Sequence, residues 1–196
     1  FTEILRTKGY YCANNFKCDY QFNAPFTAWD EISSTVSYRD APKDKPFFYV
    51  WNTLLTHESR IWERSNQPLT VNPEDIIIPS YFPDIPEVRN DIARKYSNIE
   101  AMDKKVGELM IQLEEDGLLE KTIIMFWSDH GGNLLRQKRA VGNSGLNVPL
   151  IIRYPNKMDA GKVDNRIVSL MDLGPTVLSL LNIKPPEHYD GKAIAG

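Results

Sequence analysis

The sequence predicts an α/β fold with a largely parallel sheet covered by helices on both faces. Two observations carry this. Stretches with a helical repeat alternate along the chain with short apolar runs, the order that builds βαβ units. Those runs, above all Phe47–Leu55 (Phe-Phe-Tyr-Val-Trp-Asn-Thr-Leu-Leu), are apolar almost without alternation, as a strand buried on both faces has to be.

In chain order, Thr2–Lys8 reads as an amphipathic helix closed by Gly9, and Tyr10–Phe16 as a strand leading into Lys17. Proline-rich loops at Pro25–Pro46 and Pro68–Pro86 flank the Phe47–Leu55 strand. The clearest helix starts at Pro86 or Glu87 and runs to Asp116. Val88, Ile92, Tyr96, Ile99, Met102, Val106, Leu109 and Leu113 recur there at steps of three and four. Pro86 suits a first turn, and Gly117 supplies the left-handed residue that stops a helix. Thr122–Ser128 and Val148–Tyr154 are the next strands. Asp172 is then expected to cap a helix through Leu181 that tolerates Pro175 in its first turn. No repeat or linker-like shift in composition divides residues 1–196, so one domain is expected.

Composition excludes several classes. The chain has 23 Lys+Arg and 26 Asp+Glu, a formal charge of −3, so it lacks the basic field that a nucleic-acid binder needs. No apolar run approaches the ~18–20 residues that span a bilayer, and no basic amphipathic stretch offers a surface anchor. Phe1–Lys8 carries a helical pattern and not that of a signal peptide, so the chain is expected to begin inside a domain. An extended run from Cys12 to Cys18 would separate their Cα atoms by ~20 Å, against the ~7 Å limit for a disulfide. Neither cysteine has metal-spaced partners, so two packed thiols are expected, without disulfide or zinc.

Ligands of open α/β sheets bind beyond the carboxyl ends of the strands. Lys17 and Asp19 follow Tyr10–Phe16; His57 and Glu58 follow Phe47–Leu55; Asp129, His130, Gly131 and Gly132 follow Thr122–Ser128. Singly, each has an ordinary explanation: a loop histidine with local hydrogen bonds, a solvated lysine at 17 or 138, an Asx turn at Asp129. Together, cations, a carboxylate and imidazoles at successive strand ends suit an oxyanion and a metal, as phosphoryl or sulfuryl transfer requires.

The motifs themselves are more specific. Leu5-Arg6-Thr7-Lys8-Gly9-Tyr10-Tyr11 leads to Lys17; Thr56-His57-Glu58-Ser59 follows, then Phe126-Trp127-Ser128-Asp129-His130-Gly131-Gly132, and Lys138 ahead of Val148-Pro149-Leu150-Ile151. With Ile167–Leu178, this order resembles the sulfatase family of the alkaline phosphatase superfamily, from Ile4 to about Ala193. The resemblance implies an alkaline phosphatase-like α/β domain. It implies that Lys17 contacts sulfate and nucleophile, that His57 contacts sulfate and protonates the leaving oxygen, and that Lys138 bridges sulfate and leaving oxygen, with Arg136 as a further substrate-binding residue. It implies Asp129 as a calcium ligand, with His130 facing either the metal or the sulfate.

The sequence also departs from the family pattern. Asp19 stands where many sulfatases carry histidine, and His130 where asparagine is common; an imidazole is a poorer calcium partner than an amide oxygen. Cys12 begins Cys-Ala-Asn-Asn-Phe and Cys18 begins Cys-Asp-Tyr-Gln-Phe, neither of which is the Cys-x-Pro/Ala-x-Arg that becomes formylglycine. The family's first metal-binding aspartates are absent too. Residues 1–196 are therefore expected to be a single sulfatase catalytic domain lacking its N-terminal part, inactive alone, with nucleophile and remaining Ca2+ ligands upstream; a serine-type nucleophile stays open. The implied substrate is a sulfated small molecule or polysaccharide, as ester or sulfamate, and the implied compartment is periplasmic or secreted. Glu58, Arg60, Arg136 and Arg139 either line a pocket for an acidic sugar or are solvated charges. Two alternatives remain. One is a non-catalytic relative that binds sulfated glycans. The other is a phosphoryl-transfer member of the superfamily, which would need two transition metals that His57, His130 and His188 underprovide.

Overall fold

The computed structural model describes residues 1–196. Its helices are α1 (Thr2–Thr7), α2 (Arg60–Glu63), α3 (Pro86–Glu115), α4 (Asn143–Leu146) and α5 (Leu173–Leu180). Its strands are β1 (Tyr11–Asn14), β2 (Glu31–Ile32), β3 (Phe47–Val50), β4 (Ile124–Trp127) and β5 (Leu150–Arg153). The chain forms two compact units, Phe1–Asn52 with Asp164–Gly196, and Thr53–Val163. No helix is long and apolar enough to cross a membrane.

The first unit holds a three-stranded parallel sheet in the order β2-β1-β3, with Cys12 opposite Phe48 and Asn14 opposite Val50. Cys12, Ala13 and Asn14 of the central strand are buried. α1 reaches this strand through a tight exit: Gly9, at φ +89°, donates to the Arg6 carbonyl, and Tyr10 donates to that of Leu5. This paired closure is what a left-handed glycine permits. The core beneath is Leu5, Cys12 and Leu178, all fully buried, ringed by Ile4, Tyr10, Trp29, Phe48 and Val177 among others. Burial pushes the Cys12 thiol up to about 12, so it packs as an inert group. Cys18, expected to be packed, is exposed, and both cysteines are free.

The second unit is organised by α3, 30 residues long. Pro86 occupies its first turn, and Gly117 at φ +66° closes it, donating to Glu114 while Leu118 donates to Leu113. Ile92 and Ala93 pack with Ile76 to form the core of this unit. The buried face differs from the apolar repeat, for Tyr96 and Ile99 are exposed while Arg94, Ser97 and Asn98 are buried. The cause is the 60–71 segment, whose backbone needs partners. Ser97 Oγ accepts from the Thr70 amide at 3.0 Å, Arg94 donates to the carbonyls of Gln67 and Pro68, and Asn98 accepts from Arg64 at 2.9 Å. Unmet buried backbone groups cost more than exposing two apolar side chains.

Three expectations change in detail. β4 and β5 form their own antiparallel ribbon, with Phe126 opposite Ile151, and do not extend a parallel sheet; Ile151 is 61% exposed, so the ribbon is not covered on both faces. The Phe47–Leu55 strand stops at Val50 because side chains take over the ladder there: Asn52 N–H donates to Asn15 Oδ1 at 2.6 Å, and Asn15 Nδ2 donates to the Asn52 carbonyl at 2.9 Å. Asp172 precedes α5 but caps the turn before it, accepting from Ser169 N–H at 2.8 Å and from Lys192 N–H at 2.8 Å.

Candidate functional site

In the first unit, the ends of β1 and β3 carry a buried amide cluster that the sequence reading missed. Asn14 and Asn15 are 2% and 7% exposed. Asn52 Nδ2 donates to Asn14 Oδ1 at 2.8 Å and to Asn15 Oδ1 at 3.1 Å, and Asn14 Nδ2 donates to the Lys17 carbonyl at 2.8 Å. A run of asparagines at two strand ends was the available signal, since a buried amide must be fully bonded. The cluster fixes the backbone from which Lys17 projects. Lys17 Nζ lies 3.9 Å from Asp19 Oδ2, a loose pair whose carboxylate is 74% exposed.

The second unit brings together four charged or titratable side chains. The Thr56–Ser59 turn presents His57 and Glu58, and the 131–145 loop presents Lys138 and Arg139. That loop is closed backbone to backbone: Gly131 N–H donates to the Gly145 carbonyl at 2.8 Å, and Lys138 N–H donates to that of Gly132 at 2.9 Å. A Cβ on Gly131 would collide with the Ser144 carbonyl oxygen, and one on Gly145 with that of Ala140. Leu134 packs the loop on the α3 core, and Gln137 Oε1 accepts from the half-buried Lys95 at 3.1 Å. Asn133 Nδ2 donates to the Thr56 carbonyl at 3.2 Å, tying the loop to the histidine turn.

Lys138 Nζ consequently lies 3.2 Å from His57 Nε2 and 3.0 Å from Glu58 Oε1, its side chain 19% exposed. Arg139 grips Glu58 with both terminal nitrogens, at 2.8 and 2.9 Å. An ammonium only donates, so Nε2 accepts and the imidazole proton sits on Nδ1, facing Ser59 Oγ at 3.1 Å. The Ser59 amide, 3.3 Å from Nδ1, suits the opposite tautomer. The ammonium carries a full charge and the amide does not, so Nε2 accepts from Lys138, and Nδ1–H turns to Ser59 Oγ, which can accept. Two of three ammonium protons are thereby committed and the third remains for a ligand.

Arg139 and Lys138 hold the Glu58 carboxyl down to about 2, from an ordinary value near 4.5. A depressed carboxyl contributes stability that is present above the unfolded value and lost as pH falls through the folded one. Between about pH 4.5 and 2 the unfolded chain takes up a proton that the folded chain refuses. Tm measured across that window should therefore fall less steeply for Glu58→Gln than for the native chain; parallel curves would show that Glu58 is not the titrating group.

Arg136 goes elsewhere: its guanidinium lies over the Tyr81 ring, 5.4 Å from the centroid. Asp129 Oδ1 and His130 Nε2 are 3.7 Å apart, and His130 Nδ1 is 2.7 Å from the Gly131 carbonyl, which makes Nδ1 the donor. The fit to calcium is poor on this donor set. No group of three or more His, Cys, Asp or Glu side chains is close enough to hold a metal. Calcium takes about 6–8 oxygen ligands, and one carboxylate with one imidazole supplies too few.

Comparison with known proteins places these residues in context. The family model described as Sulfatase matches residues 7–183. An ulvan-active sulfatase from Formosa agariphila is 40% identical over an alignment of 230 positions, which covers 100% of this chain and 39% of that protein. Human N-sulphoglucosamine sulphohydrolase is 31% identical over 122 positions, covering 62% of this chain and 24% of the human protein. Among solved structures, a phosphonate monoester hydrolase from Silicibacter pomeroyi superposes with a TM-score of 0.49 at 23% identity, over 72% of this chain and 28% of that one. The chain thus spans well under half the length of the relatives it matches.

Proposed function

The chain belongs to the sulfatase family, and we propose from this that the protein carrying it is a sulfuric ester hydrolase acting on sulfated carbohydrate. The observation that carries the reading is the Lys138–His57 pair, 3.2 Å apart and held from behind by Glu58. Cleavage of a sulfate ester leaves charge on the departing oxygen. Lys138 Nζ and His57 Nε2 share one transferable proton, which either atom can hand to that oxygen, and the free N–H of Lys138 meets the growing charge first. His57 is assigned to the sulfate, and Arg136, engaged with Tyr81, to the rim; Lys17, in the first unit, keeps the sulfate-binding role that its place in the family pattern implies. A sulfated carbohydrate is supported by the relatives, one named for ulvan and one for N-sulphoglucosamine.

A formylglycine nucleophile is assigned to residues other than these 196. Cys12 is buried with a thiol near 12, and neither Cys12 nor Cys18 stands in the modification motif. Asp129 is assigned as one calcium ligand of a site that this chain does not make alone, and no step above runs through the ion. Calorimetric titration of the 196-residue chain with calcium should accordingly show no saturable binding at micromolar concentrations; a stoichiometric micromolar site would overturn that division of ligands. A periplasmic or secreted location belongs to the same reading.

The function is tested with the full-length protein on a sulfated oligosaccharide and an aryl sulfate, following sulfate release. Release is expected. Binding of the glycan without release would favour the non-catalytic reading, and turnover of phosphate esters alone the phosphoryl-transfer one.

A further inference from the structure

We propose that Glu58 is a positioning residue, which holds the Lys138 ammonium against His57 and thereby sets the tautomer of the imidazole. The consequence for turnover rests on the sulfatase reading above; the tautomer does not. A lysine side chain is a point charge on a flexible four-carbon stem, so an ammonium 3.2 Å from an imidazole nitrogen needs something to keep it there. His57 supplies one neutral lone pair. Glu58 supplies a full negative charge at 3.0 Å, a charge-assisted hydrogen bond that the neutral imidazole cannot match. Arg139 restrains the carboxylate with a two-pronged grip, and its own side chain, 72% exposed, is otherwise in solvent. The order of restraint therefore runs from Arg139 to Glu58 to Lys138 to His57. Both Glu58 oxygens face cations, Oε1 accepting from Lys138 and Arg139 and Oε2 from Arg139, so the carboxylate acts through them.

A second arrangement of the ring is built into the same turn. His57 has two competing partners: Lys138, which forces the proton onto Nδ1, and the Ser59 amide, 3.3 Å from Nδ1, which favours the proton on Nε2. With the Glu58 charge removed, Lys138 swings into solvent, Ser59 N–H becomes the donor to Nδ1, and the ring changes to the Nε2-protonated form.

The test is two-bond 1H–15N correlation of the histidine rings in the full-length protein, with the His57 signal identified by its loss in His57→Gln. The native chain is expected to show His57 protonated on Nδ1, Glu58→Gln to show it mainly on Nε2, and Lys138→Met to match Glu58→Gln. A Glu58→Gln chain that melts earlier yet keeps the Nδ1 pattern would make Glu58 a stabilising residue only and overturn the proposal. If Glu58→Gln does not fold, Arg139→Gln carries the same test, with a partial shift toward Nε2 expected and an unchanged pattern counting against it. In the full-length protein, Glu58→Gln should lower kcat by about 10–10²-fold with little change in KM. Combined with Lys138→Ala it should cost no more than Lys138→Ala alone. Additive losses would mean that Glu58 does not act through Lys138. Absence of sulfate release by the native protein would remove the functional reading and leave the tautomer result to decide this one.

Discussion

Replacing Lys138 by alanine in the full-length protein is expected to lower kcat by about 10²–10³, or ~3–4 kcal/mol, with a smaller change in KM. Substrate and transition state both carry the sulfuryl group, but the new charge on the leaving oxygen exists only in the transition state, so a donor aimed at it affects turnover more than binding. The loop should survive the change, because its closure uses Gly131, Gly132, Gly145 and the backbone of Lys138, and Arg139 keeps its grip on Glu58. Lys138→Arg should recover part of the rate, since it retains the charge but presents a planar fork. Steady-state kinetics on an aryl sulfate decide the matter. A rise in KM with kcat intact would make Lys138 a substrate-binding residue instead.

The largest loss of stability is expected from Leu178→Ala. Leu178 is fully buried with Leu5 and Cys12, so the change removes three side-chain carbons from a site walled by α1, β1 and α5. Such truncations cost about 2–5 kcal/mol, more where the surroundings cannot collapse. The backbone position is kept, because Leu178 still accepts from the Ile183 amide at 2.8 Å. Urea denaturation should show a lower midpoint with an unchanged slope. Ile77→Ala, at a residue 90% exposed, should fall within about 0.5 kcal/mol of the native chain. Equal effects at the two positions would contradict the assignment of Leu178 to the core.

Local signals in the sequence are borne out where their physics is local. Pro86 opens α3, and Gly9 and Gly117 close α1 and α3, because a helix end is decided by a few neighbouring residues and by which of them tolerates a positive φ. β1, β3, β4 and β5 lie within the strands read from the sequence, whereas β2 forms in the Pro25–Pro46 loop; His57, Asp129 and Lys138 come after their strands in the expected order. Lys17 comes after β1 in the first unit, whereas His57 and Lys138 meet in the second.

What the sequence by itself determined is therefore α1, α3, α5 and four of the five strands, their order, and the residue types gathered after the strands, while the short β2, α2 and α4 carry no signal of their own. The tertiary structure decided the rest. The ribbon of β4 and β5 is antiparallel because pairing partners are chosen by the path of the intervening loop, which an apolar run does not encode. α3 buries Arg94, Ser97 and Asn98 because the 60–71 segment needs hydrogen-bond partners, a demand invisible in the helix's own repeat. Glu58 reads in sequence as either a pocket-lining or a solvated charge. It becomes a restraint on Lys138 only because the 131–145 loop carries that lysine back across 80 residues of chain to meet it. Hydrogen bonds and ion pairs act over about 3 Å, so a role that depends on one is set by where the backbone brings two side chains, and not by the identity of either alone.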